Sequence, residues 1–257
     1  MNEVAIQAHV RAIDDCNQRG RRMLSLVDLL DRGTVDLSLA AYLAAAMRSG
    51  ASLLVGARPG GAGKTAVMCT LINFLPDHTV IRPVDSSTVL FEAAWQRHAR
   101  PGHVCYLAHE IGPGYYHAYV WGSEARGFFR LAAQGHIIAS NLHADTLEDT
   151  RDQLCRENGV ARAHLDAVTL KVYLRVERTT GWTMRRWVSR VYESDGAQDR
   201  LLWTGEGDGT FTRLANSAIV SPEQEKGYAE FLATLLRQDI RPIGDVRRAL
   251  LQHTWES

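Results

Sequence analysis

The 257-residue sequence has no excess of either charge, since Lys+Arg and Asp+Glu each number 29. A chain so balanced has no global basic field, which excludes a nucleic-acid partner held by bulk charge. Cysteine is sparse: Cys16, Cys69, Cys105 and Cys155 are scattered, with no C-x-x-C pair. That spacing excludes a disulfide framework and a zinc site, and the thiols read as buried groups in a reducing compartment. No apolar run reaches the roughly 20 residues that span a bilayer. Residues 1–20 are too polar for a signal peptide. Internal repeats and low-complexity segments are missing as well. A cytoplasmic location is expected, with room left for docking on a membrane complex. What the chain does hold is 46% hydrophobic and 23% charged residues, which suits a sizeable core and not disorder. The length fits one large domain or two small ones.

Residues 53–65, LLVGARPGGAGKT, are the most informative stretch. A short apolar run leads into a glycine-rich turn, and Gly63-Lys64-Thr65 opens a helical pattern over residues 66–75 that Pro76 stops. A phosphate-binding loop needs small residues so that its backbone can approach the phosphates, inward N–H groups, and a following helix N-terminus. Residues Arg58, Pro59, Gly60, Gly61, Ala62, Gly63, Lys64, Thr65 and Ala66 form the candidate nucleotide-binding segment. Lys64 is placed to reach the β- and γ-phosphates and the Thr65 hydroxyl to help hold Mg²⁺. The pattern G-x-x-x-x-G-K-[ST] asks for glycine where Arg58 stands. An arginine there either tightens phosphate binding or obstructs the loop. The plainer alternative is a glycine-rich strand-to-helix turn with an incidental Lys-Thr.

Before the loop, residues 4–22 read as a charged amphipathic helix. Its Arg19, Arg21 and Arg22 form a solvated face or a contact for a partner. Residues 25–31 and 36–49 read as two further helices, the second alanine-rich. After the loop, residues 78–84 alternate as a strand ending at Asp85, and 88–99 are helical. Residues 103–108, HVCYLA, form a continuous apolar run that suits a buried parallel strand and ends in His109-Glu110. A carboxylate just past such a strand is where a phosphate-loop enzyme orders Mg²⁺ or activates water, so Glu110 is a candidate for metal binding and catalysis. A surface carboxylate at a strand end is the alternative. Residues 112–122, aromatic between glycines, read as a lid or interface loop. A helix over 123–134 and a buried strand at 137–141 deliver His143, which is either a structural histidine or a catalytic one. Residues 146–157 carry a helix N-terminal signature.

Alternation of strand and helix from 51 to 157 argues for an α/β fold with a mainly parallel sheet. Residues 168–178 and 182–193 then form an antiparallel hairpin around Thr179-Thr180-Gly181, continued by short strands near 201–203 and 210–212. Ser221-Pro222-Glu223-Gln224 starts a helix running to about Gln238, and a last helix follows Pro242. Three segments are expected: an N-terminal helical piece (1–22), a core (23–195) and a C-terminal strand and helix extension (196–257).

The run RMLSLVDLLDRGTVDLSLAAYLAAAMRSGASLLVGARPGGAGKT resembles the secretion ATPases of type II and type IV systems, particularly the tight-adherence pilus and archaeal-type branch. SEARGFFRLAAQGHIIASNLHADTLEDTRDQL resembles that family's Glu-Ala helix and "His box", with Gly135-His136 and Leu142-His143-Ala144-Asp145 in the corresponding places. VTLKVYLRVERTTGWTMRRWVSRVYES is similar to its closing hairpin. The likeness covers roughly residues 24–193. It implies a RecA-like P-loop motor domain assembled as a ring of six, with ATP between subunits and Mg²⁺ as cofactor. The implied partner is an inner-membrane platform protein of a secretion or pilus system, and the implied location is peripheral at the inner membrane. His143 would sense nucleotide state, and Glu110, Lys64 and Asp85 would share the catalytic work.

Departures from the family pattern accompany the likeness. The family usually carries a substantial N-terminal domain, and here about twenty residues precede the match. Its acidic box reads Glu-Asp-x-x-Glu; here Val84-Asp85-Ser86-Ser87-Thr88 keeps only Asp85. Residues 112–121 read as an insertion. Three functions therefore stand side by side: a hydrolytic ring motor, a nucleotide-binding homologue with weak or no turnover that acts structurally or in regulation, and an unrelated P-loop transferase.

Overall fold

The computed structural model describes residues 3–17, 22–84, 100–114, 117–179 and 183–255. The predicted helix at 88–99, the candidate Asp85, the Arg19 and Arg21 of the proposed basic face, and the hairpin turn at Thr180-Gly181 lie outside them.

The apolar runs at 53–56, 104–108 and 137–142 become strands. The strands are β1 (Leu53–Gly56), β2 (Val80–Pro83), β3 (Val104–Ile111), β4 (Tyr119–Val120), β5 (Ile137–Leu142), β6 (Leu170–Arg178), β7 (Met184–Ser194), β8 (Asp199–Gly205) and β9 (Phe211–Arg213). Among the described residues they form one sheet in the order β2-β3-β5-β1-β6-β7-β8-β9, with β4 paired to β3. Strands β2, β3, β5, β1 and β6 are mutually parallel, whereas β6 to β9 run antiparallel. β1, β3 and β5 are buried along their whole length, as parallel strands covered on both faces must be. The fold is thus α/β, with a mainly parallel sheet, an antiparallel hairpin and C-terminal helices.

The helices are α1 (Glu3–Asp14), α2 (Leu26–Asp31), α3 (Leu37–Arg48), α4 (Lys64–Ile72), α5 (Ser123–Ala133), α6 (Leu147–Arg151), α7 (Arg162–Asp166), α8 (Pro222–Arg237) and α9 (Ile243–Gln252). Strand alternation sorts the core into two layers. Leu53 and Val55 face a cluster with Leu43 of α3, Met68 of α4, Phe231 of α8 and Val246 of α9. Leu54 faces the other way, among Phe128 and Phe129 of α5 and Leu165 of α7. Ile13 of α1 and Trp203 of β8 belong to the first layer. The Arg247 guanidinium, fully buried, donates to the Asn73 and Leu75 carbonyls at 2.8 and 2.6 Å and fastens α9 beyond the end of α4. The start of α8 is the expected capping box, in which Gln224 N donates to Ser221 Oγ and Ser221 N to Gln224 Oε1. All four cysteines are free thiols, three of them buried.

The chain departs from the sequence reading at several points, and β3 runs on to Ile111, so that Glu110 lies within the strand and not just past it. The first helix ends at Asp14, in a stretch where Asp14, Asp15 and Asn17 are weak helix formers that favour turns. The helix expected over 146–157 is α6 followed by a π-helical turn, Asp152–Glu157. Within 112–122, Tyr119 and Val120 form β4 against Glu110 and Ile111. None of the described helices is long and apolar enough to cross a membrane.

After β1 the chain travels to the edge at β2, returns through β3 and β5, and then passes β1 to reach β6. Both neighbours of β1 are therefore late strands. In open α/β sheets such a reversal leaves a crevice beyond the carboxyl ends of the strands. The glycine-rich loop stands at that crevice.

Candidate functional site

Two glycines allow the loop its path. A Cβ on Gly56 would lie 2.6 Å from the Ala144 carbonyl oxygen and 2.8 Å from Tyr173 Cδ1, so the end of β1 meets the turn after β5 only without a side chain. Gly63, the N-cap of α4, has φ +98°, a left-handed conformation that glycine adopts at no steric cost. The turn after β5 also grips the loop directly. Asp145 Oδ1 accepts from Arg58 N at 2.8 Å, and His143 Nδ1 lies 3.2 Å from the Arg58 carbonyl oxygen. Asp149 braces that turn by accepting from Asp145 N at 3.1 Å.

Lys64 opens α4 and points back under the loop. Its Nζ donates to the Ala57 carbonyl at 3.1 Å and stands 3.6 Å from Glu110 Oε2 and 3.4 Å from His143 Nδ1. Glu110 Oε1 lies 3.9 Å from His143 Nε2. Three strand ends, β1, β3 and β5, thus bring one ammonium, one carboxylate and one imidazole together. His143 Nδ1 must be protonated to serve the Arg58 carbonyl and unprotonated to accept from Lys64, so its tautomer selects between two contacts. Burial raises the Glu110 pKa above the usual carboxylate value, against the pull of Lys64 and His143. Burial likewise lowers the Lys64 pKa, against the pull of Glu110. Glu110 Oε1 is buried without a hydrogen-bond partner among the described residues. Such a carboxylate oxygen is costly unless something else satisfies it.

Thr65 Oγ1 lies 3.4 Å from Asn141 Nδ2, and Asn141 also donates to the His109 carbonyl at 2.8 Å. Asn141 Oδ1 is a second buried acceptor left open. The described residues contain no cluster of three or more His, Cys, Asp or Glu able to hold a metal. Thr65 and Glu110 both line the cleft and carry hard oxygens, the donor type Mg²⁺ takes beside phosphates and water.

These groups line an open cleft of about 950 Å³, walled by the residues from Pro59 to Ala66, by Glu110, His143 and Tyr119, and by Cys16, Asn17 and Met23 opposite. Pro59 and Gly60 are exposed at the crown of the loop, and Ala62 is buried beneath it. The Arg58 side chain turns to Asp149, at 2.5 Å, and is not among the described residues lining the cleft. Three residues enter that sequence reading passed over, and Asp145 is singled out there only as part of the His-box match. Asn141 had a faint signal, as a polar residue inside an apolar strand. Asp145 and Asp149 look like ordinary helix-start acids. Arg186 comes from β7, where its Nε donates to the Gly61 carbonyl at 2.9 Å; no local pattern announces a contact across 125 residues.

No protein-family model matches the chain, and no curated protein matches it. Among solved structures it is similar to the VirB11 ATPase from the Brucella suis type IV secretion system, crystallised in complex with sulphate. The identity is 21% with a TM-score of 0.45, over 67% of this chain and 57% of that one. The chain thus spans little more than half the length of that protein.

Proposed function

We propose that the chain is an ATP-binding motor subunit of a secretion or pilus-assembly machine, hydrolysing ATP with Mg²⁺ in an oligomeric ring. The observation that carries the reading is the convergence of Lys64, Glu110 and His143 beneath a glycine-rich loop at the switch point of the sheet. The loop N–H groups and the start of α4 favour a phosphate chain. Lys64 neutralises charge on its β- and γ-phosphates. Thr65 and Glu110 would hold Mg²⁺, which would supply charge neutralisation on phosphate oxygens when bound. Glu110 accepts a proton from the attacking water as the water oxygen bonds to the terminal phosphorus, while the bond from that phosphorus to the bridging oxygen breaks and ADP leaves with its electron pair. Burial brings its pKa closer to working pH, which suits a general base. His143, between the Arg58 carbonyl and Glu110, reads whether the site is filled. The ring of six, the inner-membrane platform partner and the cytoplasmic face of that membrane come with the family likeness of the sequence.

The test pairs two measurements on the parent and on Glu110→Gln at equal protein concentration. ATP affinity should stay nearly unchanged, because Lys64 and the loop are untouched. Turnover should fall at least about a hundredfold, the usual scale for losing a general base. A variant that hydrolyses like an active parent removes Glu110 from the mechanism. One observation favours a second reading, a nucleotide-binding subunit with little turnover: Glu110 is the one carboxylate among the described residues lining the cleft. A parent that binds ATP and never hydrolyses it, at any concentration up to assembly of the ring, selects that reading.

A further inference from the structure

We propose that Arg186 is a ligand of the phosphate chain, supplied by the antiparallel hairpin and not by the loop. The inference rests on the nucleotide-site reading above. Successive residues of β7 point to opposite faces. Arg186 shares its face with Val188, which packs in the same layer as Ala62 and Val67 of the loop and α4. That face brings its side chain over the loop: Nε donates to the Gly61 carbonyl at 2.9 Å, and Cδ lies 3.6 Å from where a Cβ on Gly63 would stand. Arg186 also lines the cleft.

Charge then argues for a role beyond bracing. The Lys64 ammonium is already faced by the Glu110 carboxylate at 3.6 Å. Arg22, on the opposite wall, is bound bidentately by Asp28 at 2.8 Å. Arg58 is spent on Asp149. Arg32 lines the cleft from the end of α2 but is exposed. Arg186 is half-buried, hydrogen-bonds the loop backbone, and has only carbonyl acceptors, those of Gly61 and Met184, among the described residues. Its charge is therefore uncompensated beside a loop built for anions. A guanidinium carries five N–H donors, so contacts to two carbonyls leave donors for phosphate oxygens in the forked geometry arginine favours. Nucleotide binding would in this way be felt directly by the hairpin.

The experiment is calorimetry with ATP, ADP, AMP and free pyrophosphate on the parent, Arg186→Gln, Arg186→Lys and Arg185→Gln, at low and high salt. Arg185 is the control: it removes the same charge from the opposite face of β7, where its guanidinium donates to the Gly207 carbonyl. Arg186→Gln should weaken ATP and pyrophosphate at least about tenfold, ADP less and AMP least, and should flatten the salt dependence. Arg186→Lys, which keeps the charge and loses the fork, should recover part of the loss. Arg185→Gln should bind as the parent does. Unchanged ATP and pyrophosphate affinity in Arg186→Gln overturns the proposal while leaving the nucleotide site standing. An equal loss for AMP and ATP also overturns it, since that pattern belongs to a loop that has merely lost its shape. A parent that binds neither ATP nor pyrophosphate overturns the site reading and this inference together.

Discussion

Two buried lysine–carboxylate pairs occur among the described residues, and they differ in a telling way. Lys171 of β6 meets Asp199 of β8 at 2.6 Å, with side-chain exposures of 1% and 0%. Its Nζ also donates to the Val168 carbonyl at 2.7 Å, and Asp199 Oδ2 accepts from Arg151. That pair is closed, and it ties together two strands that flank β7. Lys64 and Glu110 stand 3.6 Å apart, with exposures of 9% and 11%, and one Glu110 oxygen has no hydrogen-bond partner among the described residues. Burial lowers the pKa of both lysines, and the facing carboxylate opposes it in both. The difference lies in completion. In the first pair both carboxylate oxygens have hydrogen-bond partners, as a pair that serves the fold requires; in the second, at the cleft, one carboxylate oxygen has none among the described residues, which suits the ligand site proposed above.

That contrast can be broken at either pair. The largest effect should come from Asp199→Ala, which leaves Lys171 buried without its carboxylate. A loss of about 3–5 kcal/mol is expected, read by urea unfolding, with unchanged ATP affinity in the fraction that still folds. A pH profile of hydrolysis sharpens the other side. Only the deprotonated Glu110 accepts a proton, and its pKa is raised from the ordinary 4.5. Activity should therefore fall on acidification through a midpoint above that value, and Glu110→Gln should lack this limb. The smallest effect should belong to Arg58→Ala. Its partner Asp149 is a surface contact, and the arginine is 62% exposed. Stability should move by no more than about 1 kcal/mol, and ATP affinity by less than about threefold, or roughly 0.7 kcal/mol. A larger change in affinity would mean that the side chain leaves Asp149 when nucleotide binds.

Much of the fold was legible because its signals are local. The continuous apolar runs at 103–108 and 137–141 marked buried strands, so Glu110 and His143 could be placed at strand ends before any contact was known. The glycines at 60, 61 and 63 announced a backbone that something approaches. Illegible were the features that depend on distant pairing. Asn141 matters because β5 lies beside β3 and opposite Thr65. Arg186 matters because the sheet order sets β7 over the loop. The steric demand on Gly56 comes from Tyr173 and Ala144, neither of them near in sequence. The π-helical turn after Arg151 interrupts a stretch whose local pattern reads as one helix. Arg58 broke the motif in sequence, yet the structure accommodates it by turning the side chain to Asp149.

If the open pair belongs to a phosphate site, as proposed, calorimetric titration of Lys64→Ala with ATP reads it most directly. The parent should bind, and the variant should bind at least about tenfold more weakly, a loss of roughly 1.4 kcal/mol or more. Equal affinity in parent and variant would contradict it.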